Sequence, residues 1–127
     1  SVQSVLDQTY DNFEIIIIDD GSTDDSSSVI QKFSDPRMRF FKNQTKQGLA
    51  ATLNRAIKLS TGNYLARQDH DDISYPQRFE RQVSFLETHI GYGMVGTWAE
   101  VRREGTEEVC LIELPTDSLT LKFELTL

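Results

Sequence analysis

The sequence predicts an α/β domain with a mostly parallel sheet and flanking helices, and two observations support this fold class. Strand-like apolar runs alternate with helical stripes of apolar residues along the chain, which is the element order of α/β folds. Residues 13–18 end in four consecutive isoleucines, a pattern typical of a strand covered on both faces in a parallel sheet. The 127 residues are enough for one domain, so we expect residues 1–127 to form a single, partial domain.

The first residues predict the end of a helix. Val2, Val5 and Leu6 lie at helical spacing, and residues 8–12 then supply the polar, turn-forming side chains of a loop. A helix that leads into a buried parallel strand normally crosses over from an earlier strand. We therefore expect one more strand upstream of this chain and interpret the domain as incomplete.

Acidic and small residues follow the isoleucine strand, at the position where open α/β sheets bind ligands. Asp24 and Asp25 precede a predicted helix, so favourable interaction with the start of that helix is their simpler role. Asp19 and Asp20 come earlier, at the end of the strand itself. We expect both to contact a ligand, and Asp20 can accept a hydrogen bond from a nucleotide base or a ribose hydroxyl.

The remaining residues continue the alternation of helices and strands. In chain order we expect a helix with Val29, Ile30 and Phe33 on one face, a strand over 38–42, a helix over 48–60 with Gly62 as its C-terminal residue, a strand over 63–66, a helix from Tyr75 to about His89, a strand over 93–102, a weaker strand over 109–114, and a helix start at 115–117. His89 is expected to interact with a helix end, and Trp98 is expected to lie in the core.

Charge and composition limit the classes of partner. Thirteen basic and twenty acidic residues give a formal net charge of -7, whereas a nucleic-acid partner requires a basic surface. Apolar runs such as residues 15–18 are too short to cross a bilayer. Cys110 is the single cysteine, which excludes an internal disulfide and favours a reducing compartment. We predict a cytoplasmic protein without a nucleic-acid partner, or one held at the cytoplasmic membrane face through segments outside this chain.

Three carboxylates stand within residues 69–72, here called the acidic segment. Asp69, Asp71 and Asp72 repel one another unless water or a cation separates their charges. On an extended chain, the side chains of residues 69 and 71 share one side. Hard oxygen ligands in small number suit Mg²⁺ or Mn²⁺, ions that complete their shell with water and substrate phosphates. The residues therefore predict a site for a metal-bridged diphosphate.

Four segments, in order and spacing, resemble the family 2 glycosyltransferases of the GT-A fold. They are residues 3–10 (QSVLDQTY), 14–24 (EIIIIDDGSTD), 48–54 (GLAATLN) and 69–72 (DHDD). The resemblance covers roughly residues 1–100 and implies a Rossmann-like core of a nucleotide-diphospho-sugar transferase. It further implies an inverting enzyme that uses Mn²⁺ or Mg²⁺ and moves a sugar from a nucleotide-sugar donor, commonly a UDP-sugar, to a glycan or glycolipid acceptor.

The resemblance also assigns roles to individual residues. Asp69 and Asp71 match the Asp-x-Asp pair, with Asp71 as the more direct metal ligand and Asp69 nearer to the ribose or sugar. Asp20 matches the carboxylate that contacts the nucleotide base. The general base of the family belongs to a later acidic motif, which we expect beyond residue 127, so this chain alone is expected to turn over poorly.

Two cations are candidates for contacts with the donor phosphates. Many relatives in the family have an arginine where this chain has Leu53, and Arg67, two residues before Asp69, is expected to take its place. Lys46, in the polar loop after the second strand, is the other phosphate candidate.

Three other interpretations compete with the transferase. A calcium loop starting at Asp69 lacks an oxygen ligand and a glycine, because Ile73 and Ser74 occupy those positions. A phosphatase of the haloacid-dehalogenase type also uses Asp-x-Asp after a strand, but Ile73 replaces the threonine of that motif. A catalytically inactive nucleotide- or glycan-binding module stays open, because we find no general base within the chain.

Overall fold

The computed structural model describes residues 1–102, 105–106 and 108–114, which belong to two compact units. The first unit is Ser1–Val83, and the second begins at Ser84. The helix start predicted at residues 115–117 lies outside the described residues. Along the described chain the elements are α1 (Val2–Leu6), β1 (Ile15–Asp19), α2 (Ser26–Ile30), β2 (Met38–Lys42), α3 (Leu49–Leu59), α4 (Arg78–Thr88), β3 (Ala99–Arg102) and β4 (Val109–Ile112).

The first unit is built on a parallel pair of strands, as the isoleucine run predicts. β1 pairs with β2 so that Ile15 lies opposite Met38 and Asp19 lies opposite Lys42. The helix α2 connects the two strands, and α3 packs on β1. This unit confirms the α/β class with a parallel sheet and flanking helices. The isoleucines of β1 are half-buried, whereas the sequence pattern predicts cover on both faces.

The best-buried apolar side chains of the first unit belong to α1 and to the start of α4. Val5 and Phe79 are buried, and the ring of Phe13 meets that of Phe79 edge to face at a centroid distance of 5.5 Å. The guanidinium of Arg37 lies over the Phe13 ring, with its central carbon 4.5 Å from the ring centroid. This packing connects the first residues of the chain to the helix that follows the acidic segment.

The strand predicted over 63–66 is wrong. These residues form bends and irregular structure, and Tyr64 and Leu65 are exposed. A short apolar run becomes a strand only where a partner strand completes its hydrogen bonds. In the part of the chain that the structure describes, the sheet of the first unit contains β1 and β2 alone, so residues 63–66 have no partner strand in it. Gly62 also fails as the expected helix C-cap, because α3 ends at Leu59 and the extended Ser60 takes the cap position.

In the second unit the predicted strand over 93–102 is shortened to β3, which forms an antiparallel hairpin with β4. The part of the predicted strand that does not form contains Gly93 and Gly96, and glycine within a strand weakens it. Trp98 is 51% exposed and so does not lie in a core; its Nε1 donates to the carbonyl of Leu114 at 3.2 Å. His89 interacts with a helix end as predicted, with Nδ1 3.0 Å from the carbonyl oxygen of Phe85.

The predicted apolar face after β1 is also shorter than expected, since α2 ends at Ile30 and leaves Phe33 outside the helix. Val29 is 48% exposed, so a helix of five residues contributes little to the core. Among the described residues no helix has the length and apolar content that a bilayer crossing would need.

Candidate functional site

An open cleft of about 500 Å³ lies beyond the carboxyl end of β1, where the fold class places ligands. We call it the β1 cleft; residues 20–24 and Lys46 line it. Gly21 adopts a positive φ of 83°, and a Cβ at this position would lie 3.2 Å from the backbone nitrogen of Lys46. Glycine therefore permits both the turn after β1 and the close approach of the loop that carries Lys46.

Asp19 is buried within the turn, at 5% exposure, and is not among the residues that line the β1 cleft. Its Oδ1 accepts a hydrogen bond from the amide of Ser22 at 2.7 Å, and its Oδ2 accepts one from the hydroxyl of Ser27. The ammonium of Lys42, opposite in the sheet, lies 3.3 Å from Oδ2. The Ser27 and Ser22 hydrogen bonds hold the pKa of Asp19 well below its usual range. These contacts give Asp19 a structural role in the turn; its predicted ligand contact stays a prediction.

Asp20 faces the loop after β2. Its Oδ1 accepts hydrogen bonds from Asn43 Nδ2 at 2.6 Å and from the amide of Gln47 at 2.8 Å, and its Oδ2 accepts one from the amide of Gly48 at 2.8 Å. These donors, Asn43 above all, lower the pKa of Asp20 to about 2. Asp20 therefore fixes the loop that leads into α3, and a nucleotide contact by the same carboxylate stays a prediction.

Asn43 is a site residue that the sequence interpretation missed. It is 7% exposed, donates to Asp20, and its Oδ1 accepts from Nη1 of Arg55 in α3. The sequence could have indicated this role, because Asn43 directly follows β2 and Asp20 directly follows β1, at the same edge of the parallel pair. Asp24 has the role expected at a helix start, because its Oδ1 accepts from the amide of Ser26 at 3.0 Å.

The acidic segment has much more exposed carboxylates. Asp69 accepts two hydrogen bonds from Arg67, from Nε and from Nη2, each at 3.0 Å. The side chain of Asp71 is 74% exposed, and the Nδ1 of His70 lies 3.9 Å from its Oδ1. Arg67, predicted to contact donor phosphates, thus forms an ion pair with a predicted metal ligand, and a phosphate would have to share it.

The donor set of the acidic segment fits a metal that substrate helps to bind. Within the described parts of the chain, no three His, Cys, Asp or Glu side chains come together as a preformed metal site. Asp71 is exposed and Asp69 keeps lone pairs beyond those that Arg67 uses. One or two carboxylates are the usual protein share of a Mg²⁺ site whose other ligands are water and phosphate. Asp69 and Asp71 meet that requirement.

Gln8 is a second residue that the sequence interpretation did not assign to the site. It is 4% exposed; its Nε2 donates to the carbonyl of Tyr75 at 2.8 Å, and its Oε1 accepts from the amide of Phe79 at 2.9 Å. Ser4, one helical turn earlier, accepts a hydrogen bond at its hydroxyl from the amide of Ser74 at 3.0 Å. The start of the chain therefore positions the backbone that follows the acidic segment.

The fold and site together define an α/β protein with carboxylates at a strand end and an exposed Asp-x-Asp pair, as the resemblance to the GT-A glycosyltransferases implies. A sequence model of the family "Glycosyl transferase family 2" matches residues 1–118. The chain belongs to glycosyl transferase family 2, which confirms the family and the enzyme class that the four sequence segments predict.

Three curated relatives show how much of such a protein the chain represents. EpsE of Bacillus subtilis (strain 168), named as a glycosyltransferase, is 44% identical over 100 residues, which are 76% of this chain and 36% of EpsE. Two Escherichia coli proteins, WfaP and WfgD, are named UDP-Glc:alpha-D-GlcNAc-diphosphoundecaprenol beta-1,3-glucosyltransferases. WfaP is 43% identical over 69% of this chain and 35% of its own length, and WfgD is 37% identical over 68% and 34%. The chain spans about a third of the length of these relatives.

Proposed function

We propose that this chain is the donor-binding part of an inverting glycosyltransferase. The donor is a nucleotide-diphosphate sugar, with a UDP-sugar as the first candidate, and the acceptor is a hydroxyl of a glycan or of a lipid-linked glycan. The carrying observation is the exposed carboxylate pair of Asp69 and Asp71 in a chain of this family. The names of WfaP and WfgD, which contain UDP-Glc and a diphosphoundecaprenol acceptor, support this choice of donor and acceptor.

We assign Mn²⁺ or Mg²⁺ to Asp71, with Asp69 as the second carboxylate. When bound, such an ion offsets the negative charge that develops on the departing diphosphate. The formal net charge of -7 opposes the binding of a diphosphate, so cations near the donor favour it. Lys46, at the β1 cleft, and Arg67, beside Asp69, are the protein cations that we assign to the phosphates.

The transfer itself forms a bond between the acceptor oxygen and the anomeric carbon as the bond from that carbon to the diphosphate breaks. The acceptor hydroxyl must lose its proton, so a general base is needed. Nothing in the described residues is assigned to this role. We place the reaction in the cytoplasm or at the cytoplasmic face of the membrane. At the membrane face, a lipid-linked acceptor would be held by the bilayer and by segments outside this chain.

Calorimetric titration tests the proposal directly. UDP-, GDP- and dTDP-sugars are titrated into the protein with Mn²⁺ or with EDTA. We expect one nucleotide class to bind, only with Mn²⁺, and Asp71→Asn to weaken that binding at least about tenfold, in the range found when metal-site partners are removed. Asp11→Asn is the matched control, because the Asp11 side chain is 92% exposed and lies outside both the acidic segment and the β1 cleft.

Four outcomes would contradict the proposal. Absence of nucleotide-sugar binding by the full-length protein would remove the donor site. Binding that is equal in Mn²⁺ and in EDTA, and equal in Asp71→Asn, would remove the metal from the acidic segment. Binding without sugar transfer by the full-length protein would instead identify an inactive binding module, and phosphate release from a simple phosphoester would identify a phosphatase.

A further inference from the structure

Arg78, the first residue of α4, connects the two sides of the acidic segment. Its Nη2 donates to the carbonyl of Arg67 at 2.8 Å, ahead of the segment. Its Nη1 donates to Gln68 Oε1 at 2.6 Å and to Ser74 Oγ at 2.9 Å, and Ser74 follows the segment. A single guanidinium therefore closes the base of the loop that presents the carboxylates.

The contacts around Arg78 form a partly buried polar network. Ser74 is 7% exposed, and its hydroxyl also donates to Gln68 Oε1 at 2.7 Å. The hydroxyl of Ser1 donates to the carbonyl of Asp69 at 2.9 Å. The backbone on both sides of the acidic segment is thus held by side-chain hydrogen bonds.

Fold stability alone does not explain a guanidinium at this position. Burial lowers the pKa of Arg78, which means that the charged form loses hydration, while the charge of Asp72 acts in the opposite direction. Its Nε is buried and has no hydrogen-bond partner among the described residues. Both features cost free energy that an apolar side chain of similar length would avoid. An apolar side chain would supply neither a forked donor nor a positive charge near Asp72.

We propose that Arg78 is a positioning residue for the metal-binding carboxylates: it closes the loop around the acidic segment and places a positive charge near Asp72. Arg78 does not itself contact the donor or the metal. The inference rests on the proposed function, since it assumes that the acidic segment binds a metal together with a diphosphate. It extends that function to a residue that acts through the loop.

Amide hydrogen exchange tests the positioning without any ligand. The amide of Asp72 donates to the carbonyl of Asp69, and the amide of Ser74 donates to Ser4. We expect both amides to exchange about tenfold faster in Arg78→Met, with smaller acceleration in Arg78→Lys, which keeps the charge but not the fork. The amides of β1 and β2 should keep their wild-type rates. Arg81→Met, in the same helix at an exposed position, is the control and should change none of these rates.

A Mn²⁺ titration in the presence of UDP tests the consequence for binding. We expect the apparent Mn²⁺ affinity to fall about tenfold in Arg78→Met, less in Arg78→Lys, and not at all in Arg81→Met. The far-ultraviolet circular dichroism spectra of all four proteins should be equal, a result that a general loss of structure would not give.

The outcomes separate the two proposals. If the wild-type protein binds UDP without dependence on Mn²⁺, the proposed function fails, and exchange at Asp72 and Ser74 still decides whether Arg78 fixes the loop. If the wild-type protein shows Mn²⁺-dependent binding and Arg78→Met matches it in affinity and exchange, the inference about Arg78 is overturned. Arg78→Lys, which retains the charge, provides the same decision if Arg78→Met does not fold.

Discussion

The two acidic regions of the first unit use their carboxylates in opposite ways. At the end of β1, the oxygens of Asp19 and Asp20 accept hydrogen bonds from the protein itself, and the pKa of each lies well below its usual range. In the acidic segment, Asp71 is exposed, and Asp69 is paired with a neighbouring arginine. The difference shows that internal hydrogen bonds can occupy the oxygens of a carboxylate at a strand end, whereas the oxygens of a carboxylate on an exposed loop stay available to a ligand.

The comparison predicts two kinds of phenotype. Substitutions at the end of β1 should lower the free energy of unfolding, because internal donors lose their acceptor. Substitutions in the acidic segment should leave folding intact and weaken ligand binding.

The largest expected effect is on stability, at Asp19. Asp19→Ala leaves the amide of Ser22, the hydroxyl of Ser27 and the ammonium of Lys42 without their shared acceptor. We expect the free energy of unfolding, measured in urea, to fall by about 3 kcal/mol, since hydrogen bonds to a charged group contribute more than neutral ones. Glu87→Ala, at an exposed position of α4, should change it by less than about 0.5 kcal/mol. A loss at Asp19 as small as that of the control would contradict the comparison.

The next effect concerns the turn of the β1 cleft. Gly21→Ala places a Cβ 3.2 Å from the backbone of Lys46 and forces alanine into a positive φ, so we expect a loss of about 2 kcal/mol in the same urea measurement. Gly93→Ala is the control, because no atom lies within 4 Å of its added Cβ. Equal stability of the two variants would mean that the loop moves freely away from the turn.

Asp71→Asn should show the reverse pattern. We expect its free energy of unfolding to match the wild type within about 0.5 kcal/mol, because an exposed charge with like-charged neighbours contributes little to folding. Mn²⁺-dependent nucleotide binding should still weaken about tenfold or more. A folding defect comparable to that of Asp19→Ala would remove the distinction between the two regions.

The smallest effect is in the dependence of stability on pH. The pKa of Asp20 is lowered to about 2, from a usual value near 4 in an unfolded chain. A lowered folded-state pKa means that the stabilisation is complete above about pH 4 and is lost as the pH falls towards about 2. Unfolding curves over this range should be less pH-dependent in Asp20→Asn than in Asp71→Asn. An identical slope in both variants would contradict the internal role of Asp20.

The sequence predicted the elements whose signals are local. The isoleucines of β1 and the apolar stripe of α3 each occur within one element, and both elements form where expected. The strand over 63–66 was wrong because strand formation depends on a distant partner. The exposure of Trp98 likewise depends on what covers the hairpin, which its neighbours in sequence do not specify.

The candidate site was predictable in its position and less so in its roles. The motifs located Asp20 correctly at a strand end, whereas the acidic segment, expected to follow a strand over 63–66, lies in irregular structure. The donors that saturate Asp20 come from Asn43, Gln47 and Gly48, more than twenty residues later, and only the folded chain brings them together. The same holds for Arg78, whose partners on both sides of the acidic segment are irregular loop residues.

The most direct test asks which acidic region binds the metal. Mn²⁺ broadens nearby amide signals in nuclear magnetic resonance spectra, so small additions of Mn²⁺ to the protein with UDP report the location of the ion. We expect the strongest broadening at residues 69–72 and its loss in Asp71→Asn. Broadening centred on residues 19–24, and unchanged in Asp71→Asn, would contradict the account, because it would place the metal on the carboxylates that the fold already uses.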